Sequence, residues 1–165
     1  MPASEQGIAQ DRYFVVPRTA IFLREGDAYL LIRGSASKRR WPNKYNGIGG
    51  HVDRGEDVLS SAARELREET GLEADLWLCG TVIVDAGDAG VGLYVFSGTA
   101  TGGELRASPE GTPEWIAYEQ VPSLPAVEDL PPLLSRIHRM HRGDAPFSGR
   151  SFYDQTGRLQ LVFSA

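Results

Sequence analysis

Residues 49–72 read GGHVDRGEDVLSSAARELREETGL, and their spacing decides the fold class. From Glu56 onward, Leu59, Ala62, Ala63, Leu66 and Thr70 recur at helical intervals, the mark of one stripe facing a core. The spacing predicts a helix over 56–70, with Gly71 as its left-handed cap. At about 100° per residue, Glu65, Glu68 and Glu69 fall together on the neighbouring face. Like charges at that spacing repel. A helix selected for stability alone places Lys or Arg four residues after Glu, whereas Glu65 meets Glu69 there.

Two readings follow. One is a solvated acidic face with incidental salt bridges. The other is a set of ligands for a divalent cation. Clustered carboxylates with water suit Mg²⁺, with Mn²⁺ as the substitute. The glycine-rich turn ahead of the helix offers backbone carbonyls, Gly50 being the best placed.

Working outward, FVVPRTAIFLR (14–24) and YLLIR (29–33) read as strands joined by the EGD turn. Residues 34–46, GSASKRRWPNKYN, form a basic polar loop. Residues 47–55 hold glycines at 47, 49, 50 and 55, so irregular backbone or a close approach is expected there. Strands are expected over 75–85, 90–98 and 114–118. A helix is expected over 129–141, with Pro131 and Pro132 tolerated in its first turn. Residues 151–164 resemble a hairpin turning near 155–157. Strands and two helices interleave without regular βαβ alternation, which predicts an α+β chain with a mixed sheet packed between helices.

The 165-residue length suggests one domain over 11–165, behind a frayed polar segment over 1–10. Apolar residues make up 41% and charged residues 24%, a soluble globular composition. The formal charge of −5 and pI near 5.2 disfavour stable binding to nucleic acid or anionic membrane. A phosphorylated small molecule is still admitted, because a metal ion can supply the missing positive charge. Cys79 is the sole cysteine, so no intrachain disulfide forms, and its apolar neighbours mark it as a buried small hydrophobe. No run approaches the ~18 apolar residues of a membrane span. MPASEQGIAQDR lacks the features of a secretory leader, so a cytoplasmic monomer or homodimer is the expectation.

Gly50, Glu56, Arg64-Glu65-Leu66, Glu68-Glu69 and Gly71-Leu72 stand at the spacing G-x5-E-x7-R-E-L-x-E-E-x-G-L. That pattern matches the Nudix box at every position, and the chain resembles a Nudix hydrolase. The resemblance implies an α/β/α sandwich, Mg²⁺, and hydrolysis of a nucleoside diphosphate linked to another moiety. It implies metal ligands at Glu65, Glu68 and Glu69, one of which polarises the attacking water. It makes Arg64 an orienting partner of these carboxylates and of Glu56, itself a structural or outer metal partner. Gly50 would add a carbonyl.

Outside the box, the proline of ADP-ribose hydrolases and the SQPWPFP segment of the NADH type are absent. KYNGIGGHV (44–52) and LYVFSGTATGGEL (93–105) resemble oxidised-purine triphosphatases of the MutT kind. On that likeness Asn46 meets the base edge, Glu110 is a further ligand or water-activating carboxylate, and Glu128 and Asp129 read the purine. A tryptophan expected just before that acidic pair is absent, and His51 stands where a lysine is usual. His51 could reach a phosphate, and Arg33, at a strand end, could contact a non-bridging phosphate oxygen. Each has a plainer alternative: a turn residue at Asn46, a solvated loop charge at Glu110, a helix start at Glu128 and Asp129. The leading expectation is a nucleoside triphosphate pyrophosphohydrolase, possible substrates including 8-oxo-dGTP. Hydrolysis of a nucleotide sugar, dinucleotide or RNA 5′ end, and non-catalytic nucleotide sensing, are the alternatives.

Overall fold

The computed structural model describes residues 5–7 and 11–164; the expectation of a frayed segment over 1–10 falls mostly outside them. Alternation along two long strands sets the layers. In β1 (Phe14–Glu25), Ile21 and Leu23 face one side of the sheet and Phe22 the other. In β2 (Ala28–Gly34), Leu30 and Ile32 join the first side, and Tyr29 and Leu31 the second. A strand buried on both faces needs cover on both. One helix supplies each cover. Ala62 and Leu66 of α1 (Val58–Thr70) complete the first cluster; Leu130, Leu133, Leu134 and Ile137 of α2 (Leu130–His138) complete the second.

The remaining strands are β3 (Tyr45–Asn46), β4 (Leu72–Asp85), β5 (Ala89–Gly103), β6 (Gly111–Ala117), β7 (Phe147–Tyr153) and β8 (Leu159–Phe163). They order as β3-β2-β1-β5-β4-β7-β8, with β6 on β2. β1 runs parallel to β5, and β4 to β7, while the other strand pairs are antiparallel. The expected mixed sheet between helices is the architecture found. Cys79 is fully buried in the α2-side cluster, and burial pushes its thiol up to about 12.

Element boundaries differ in ways that have local causes. The first helix begins at Val58 rather than Glu56, because Asp57 caps it, accepting from the Leu59 and Ser60 amides at 2.9 and 3.0 Å. Gly71 ends it at φ 77°, its amide donating to the Arg67 carbonyl, as the sequence predicts. Ala62, Leu66 and Thr70 are buried, but Leu59 is 47% exposed. Leu59 shares the angular face of Leu66, yet it lies in the first turn, beyond the cover of the sheet. Ser61 and Glu69 are buried instead. The second helix is shorter than the predicted 129–141, and Asp129 precedes it without capping it. The C-terminal hairpin starts at Phe147, before the predicted 151, because β7 pairs with β4 from Gly80↔Phe147 onward.

Candidate active site

The glycine turn is laced to β1. Thr19 donates its amide to the Gly50 carbonyl at 2.9 Å, and Ile21 donates to Ile48 at 2.7 Å. Gly49 lies between these bonds at φ 139°, where a Cβ would strike the Thr19 carbonyl. The Gly50 carbonyl thus spends one lone pair on the sheet and keeps the other. A Cβ on Gly50 would overlap the Glu65 carboxylate; helix and turn touch there only because the side chain is missing.

Arg64 gathers the carboxylates. Its Nε and Nη2 donate to Glu56 at 2.7 and 2.9 Å, and its Nη1 donates to Glu65 at 3.0 Å and Glu68 at 3.2 Å. Nη2 also donates to the His51 carbonyl at 3.1 Å. Hydrogen bonds from Arg64 hold the Glu56 carboxyl at about 2, well below the usual range, while the same contacts raise Arg64. An unfolded Glu titrates near 4.5, so the folded chain holds this proton more weakly. The pair's contribution to stability is therefore full above pH ~4.5 and fades as pH falls toward ~2. The difference in urea midpoint between the parent and Glu56→Gln is expected to be larger at pH 7 than at pH 3. An unchanged difference would remove this ion pair from the stability of the fold.

Glu69 is the buried member of the set. It is 6% exposed and accepts from the Gly49 amide at 3.1 Å. Burial pushes its carboxyl up to about 7, against the pull of the Gly49 amide and with Glu65 adding repulsion. A buried carboxylate with so little compensation favours a nearby cation. Among the described residues, no three His, Cys, Asp or Glu side chains form a ready cation cage; Arg64 is threaded between them instead. Three carboxylates and a spare carbonyl nonetheless make a hard-oxygen donor set of the kind Mg²⁺ takes.

Glu65, Glu68 and Glu69 line a cleft of about 580 Å³ with Gly50, His51, Asn46 and Glu110. The same lining carries the cations Arg18, Lys38, Arg40 and Lys44. Lys38 and Glu110, both in its lining, pair at 2.6 Å. A smaller apolar pocket of about 140 Å³ adjoins, sharing Arg18, Trp41, Asn46, Gly47 and Gly49. Phe22, Val84, Val91, Leu93, Leu130 and Leu133 form its floor, with Asp129 at its edge. Burial raises the Asp129 carboxyl above its usual range, and Glu128 adds to it.

Most of the expected residues therefore meet in one place, but Arg64, Glu56, Glu128 and Arg33, four of them, line neither cavity. Glu56 lies behind Arg64. Glu128 accepts from the Tyr153 hydroxyl at 2.8 Å on the exposed surface. Arg33 pairs with Glu114 at 3.1 Å, because strand alternation sends Ile32 toward the cleft and Arg33 to the opposite face. The Asn46 Oδ1 accepts from the Gly47 amide at 2.8 Å, which is the turn role, yet the residue also borders both cavities. The sequence reading missed Arg18 and Trp41. A signal for Arg18 was its strand position opposite the glycine turn, realised as the Arg18↔His51 bridge.

The NUDIX domain model matches residues 15–137. The chain belongs to the Nudix family. The MutT protein of Bacillus halodurans is similar in structure, with TM-score 0.76 and 25% identity, over 91% of this chain and 98% of that one. In sequence, the oxidized purine nucleoside triphosphate hydrolase of Mus musculus is 33% identical over 82 residues, covering 48% of this chain and 53% of that protein. The NAD-capped RNA hydrolase NudC of Stutzerimonas stutzeri is 29% identical over 133 residues, 79% of this chain and 46% of that one. The chain spans about half the length of these curated relatives. As a Nudix protein it carries its box on α1 and the turn before it, the segment that supplies Glu65, Glu68 and Glu69 to the lining of the cleft.

Proposed function

We propose that this Nudix chain is a Mg²⁺-dependent pyrophosphohydrolase of nucleoside triphosphates, oxidised purine deoxynucleotides such as 8-oxo-dGTP among them, releasing a nucleoside monophosphate and pyrophosphate. The observation that carries the reading is a pair of adjoining cavities whose linings bring together acidic, basic and apolar groups. A polyphosphate with a planar base at one end has chemistry complementary to each.

Glu65, Glu68, Glu69 and the Gly50 carbonyl would hold the metal, with Mn²⁺ able to replace Mg²⁺. The bound metal would neutralise phosphate charge and lower the pKa of water. Arg64 positions the carboxylates, and Glu56 positions Arg64. Glu110 reaches the cleft from the loop before β6, where it would hold or deprotonate the attacking water once separated from Lys38. Arg18, Arg40 and Lys44 take the phosphate contact that the sequence assigned to Arg33, and His51 borders the same space. Asn46 and Asp129 would meet the base edge, and Glu128 would act through its neighbour Asp129.

A Mg²⁺ assay over a panel of nucleoside triphosphates and diphosphate derivatives, reading pyrophosphate and phosphate separately, tests the proposal. Pyrophosphate release from a triphosphate, abolished by excess EDTA and restored by Mg²⁺, is the expected outcome. Full activity in EDTA would sink it. The likeness to an NAD-capped RNA hydrolase favours a second reading, hydrolysis of a dinucleotide or capped 5′ end. Release of two mononucleotides from a dinucleotide, or of one mononucleotide and a 5′-monophosphate RNA from a capped end, with triphosphates inert, would establish that one instead.

A further inference from the structure

We infer that Trp41 is the stacking platform for the planar base of the substrate, and so a determinant of base preference. This rests on the nucleotide reading above.

Three independent observations converge on this residue. First, its position is shared: Trp41 borders both the charged cleft and the apolar pocket. It stands at the junction where the base of a nucleotide leaves its phosphates. Arg40 and Lys44, close to it in the chain, line the charged side only. The loop therefore offers cations toward the phosphates and a π-face at the junction.

Second, the residue is 49% exposed. Trp77 and Trp115, the other two tryptophans, pack against the two cores. A large aromatic left half uncovered at a cavity mouth has surface available for a ligand.

Third, its backbone is held in a costly shape. Trp41 has φ 53° and Asn43 has φ 59°, flanking Pro42. Positive φ is rare for a bulky residue, and a following proline further favours extended backbone. The surroundings impose the shape. The Gly34 amide donates to the Lys44 carbonyl and the Asn43 amide to the Gly34 carbonyl, both at 3.0 Å; Lys44 donates to the Trp41 carbonyl at 3.3 Å. Ser35 donates to the Glu110 carbonyl at 3.1 Å, so the loop is also tied to the segment that carries Glu110. Strain maintained by neighbours at a cavity mouth is the pattern of a pre-set ligand contact.

Stacking on an indole tolerates any base, because every base has a π-face. The hydrogen-bonding groups of Asn46 and Asp129 then choose among the bases that stack. Trp41 sets affinity for the planar group, and those two residues set its identity.

Tryptophan emission tests the assignment directly. The α,β-methylene analogues of ATP, GTP, CTP and UTP are titrated with Mg²⁺, alongside inorganic tripolyphosphate, which has the phosphates without the base. The preferred analogue is expected to quench emission, and the quench is expected to vanish in Trp41→Phe. Trp41→Ala and Trp41→Leu are expected to weaken that analogue at least about tenfold by calorimetry, with tripolyphosphate unchanged. Trp41→Phe and Trp41→Tyr should stay within a few fold of the parent. Trp41→Gly, which relieves the backbone, should unfold no lower than the parent while binding as poorly as Trp41→Ala. Equal nucleotide affinity in Trp41→Ala would overturn the inference, as would equal weakening of tripolyphosphate. A parent that binds with quenching but turns over nothing would defeat the hydrolase reading and leave the stacking assignment standing.

Discussion

Glu69→Gln is expected to fold like the parent and to turn over substrate about a thousandfold more slowly, on the order of 4 kcal/mol in the barrier. The residue is 6% exposed and bonded to the Gly49 amide. Glutamine matches its shape and can still accept that bond through its amide oxygen. What disappears is the charge, which is unfavourable to bury alone and which Glu65 opposes. The melting temperature should therefore hold or rise while activity collapses, the behaviour of a residue retained for function at some expense to stability. Calorimetry with a triphosphate separates the remaining cases. Retained binding with lost turnover supports catalysis. Parental turnover in Glu69→Gln would remove this carboxylate from the chemistry.

Gly49→Ala is expected to cost stability instead, by about 3 kcal/mol or more. Its φ of 139° is unsuited to a side chain, and the added Cβ would meet the backbone carbonyl of Thr19. Backbone cannot rotate aside as a side chain can. The turn would have to leave β1, breaking the bonds that set Gly50 beside Glu65 and withdrawing the Gly49 amide from Glu69. Gly55→Ala is the control. Gly55 also has positive φ, at 93°, but a Cβ there meets nothing within 4 Å, so only the local strain of about 1 kcal/mol remains. Urea midpoints measure both. A Gly49→Ala midpoint equal to that of Gly55→Ala would mean that the turn is not held by β1.

Features fixed within a few neighbouring residues were legible in advance. The carboxylate helix, its Gly71 cap and the close approach of the glycine turn each depend on spacing along the chain. The burial of Glu69 was not visible that way, because it depends on a turn and a strand meeting the helix from elsewhere. The same limit explains Leu59: helical angle assigns a face, but only the sheet decides how far along the helix that face is covered. Arg33 was drawn toward the phosphates by its nearness to the box, whereas the parity of β2 points it away, and Arg18 of β1 lines the cavities instead. Trp41 sits in a loop without period, so no pattern marked it. The carboxylates and most of the cations, Lys38, Arg40 and Lys44, thus lay in single readable segments, while Arg18 and the apolar lining, drawn from several elements, needed the fold.

The seclusion of Cys79 makes the chain's only thiol an internal gauge of core opening. It is fully buried, and its proton is held until about pH 12, so the native state presents a thiol-directed dye with neither access nor thiolate. Labelling then counts excursions in which the central sheet parts from α2, and its rate at low dye pressure follows the population of the opened form. The comparison of substitutions at the glycine turn can be made this way in plain buffer, with no denaturant and with nucleotide present or absent.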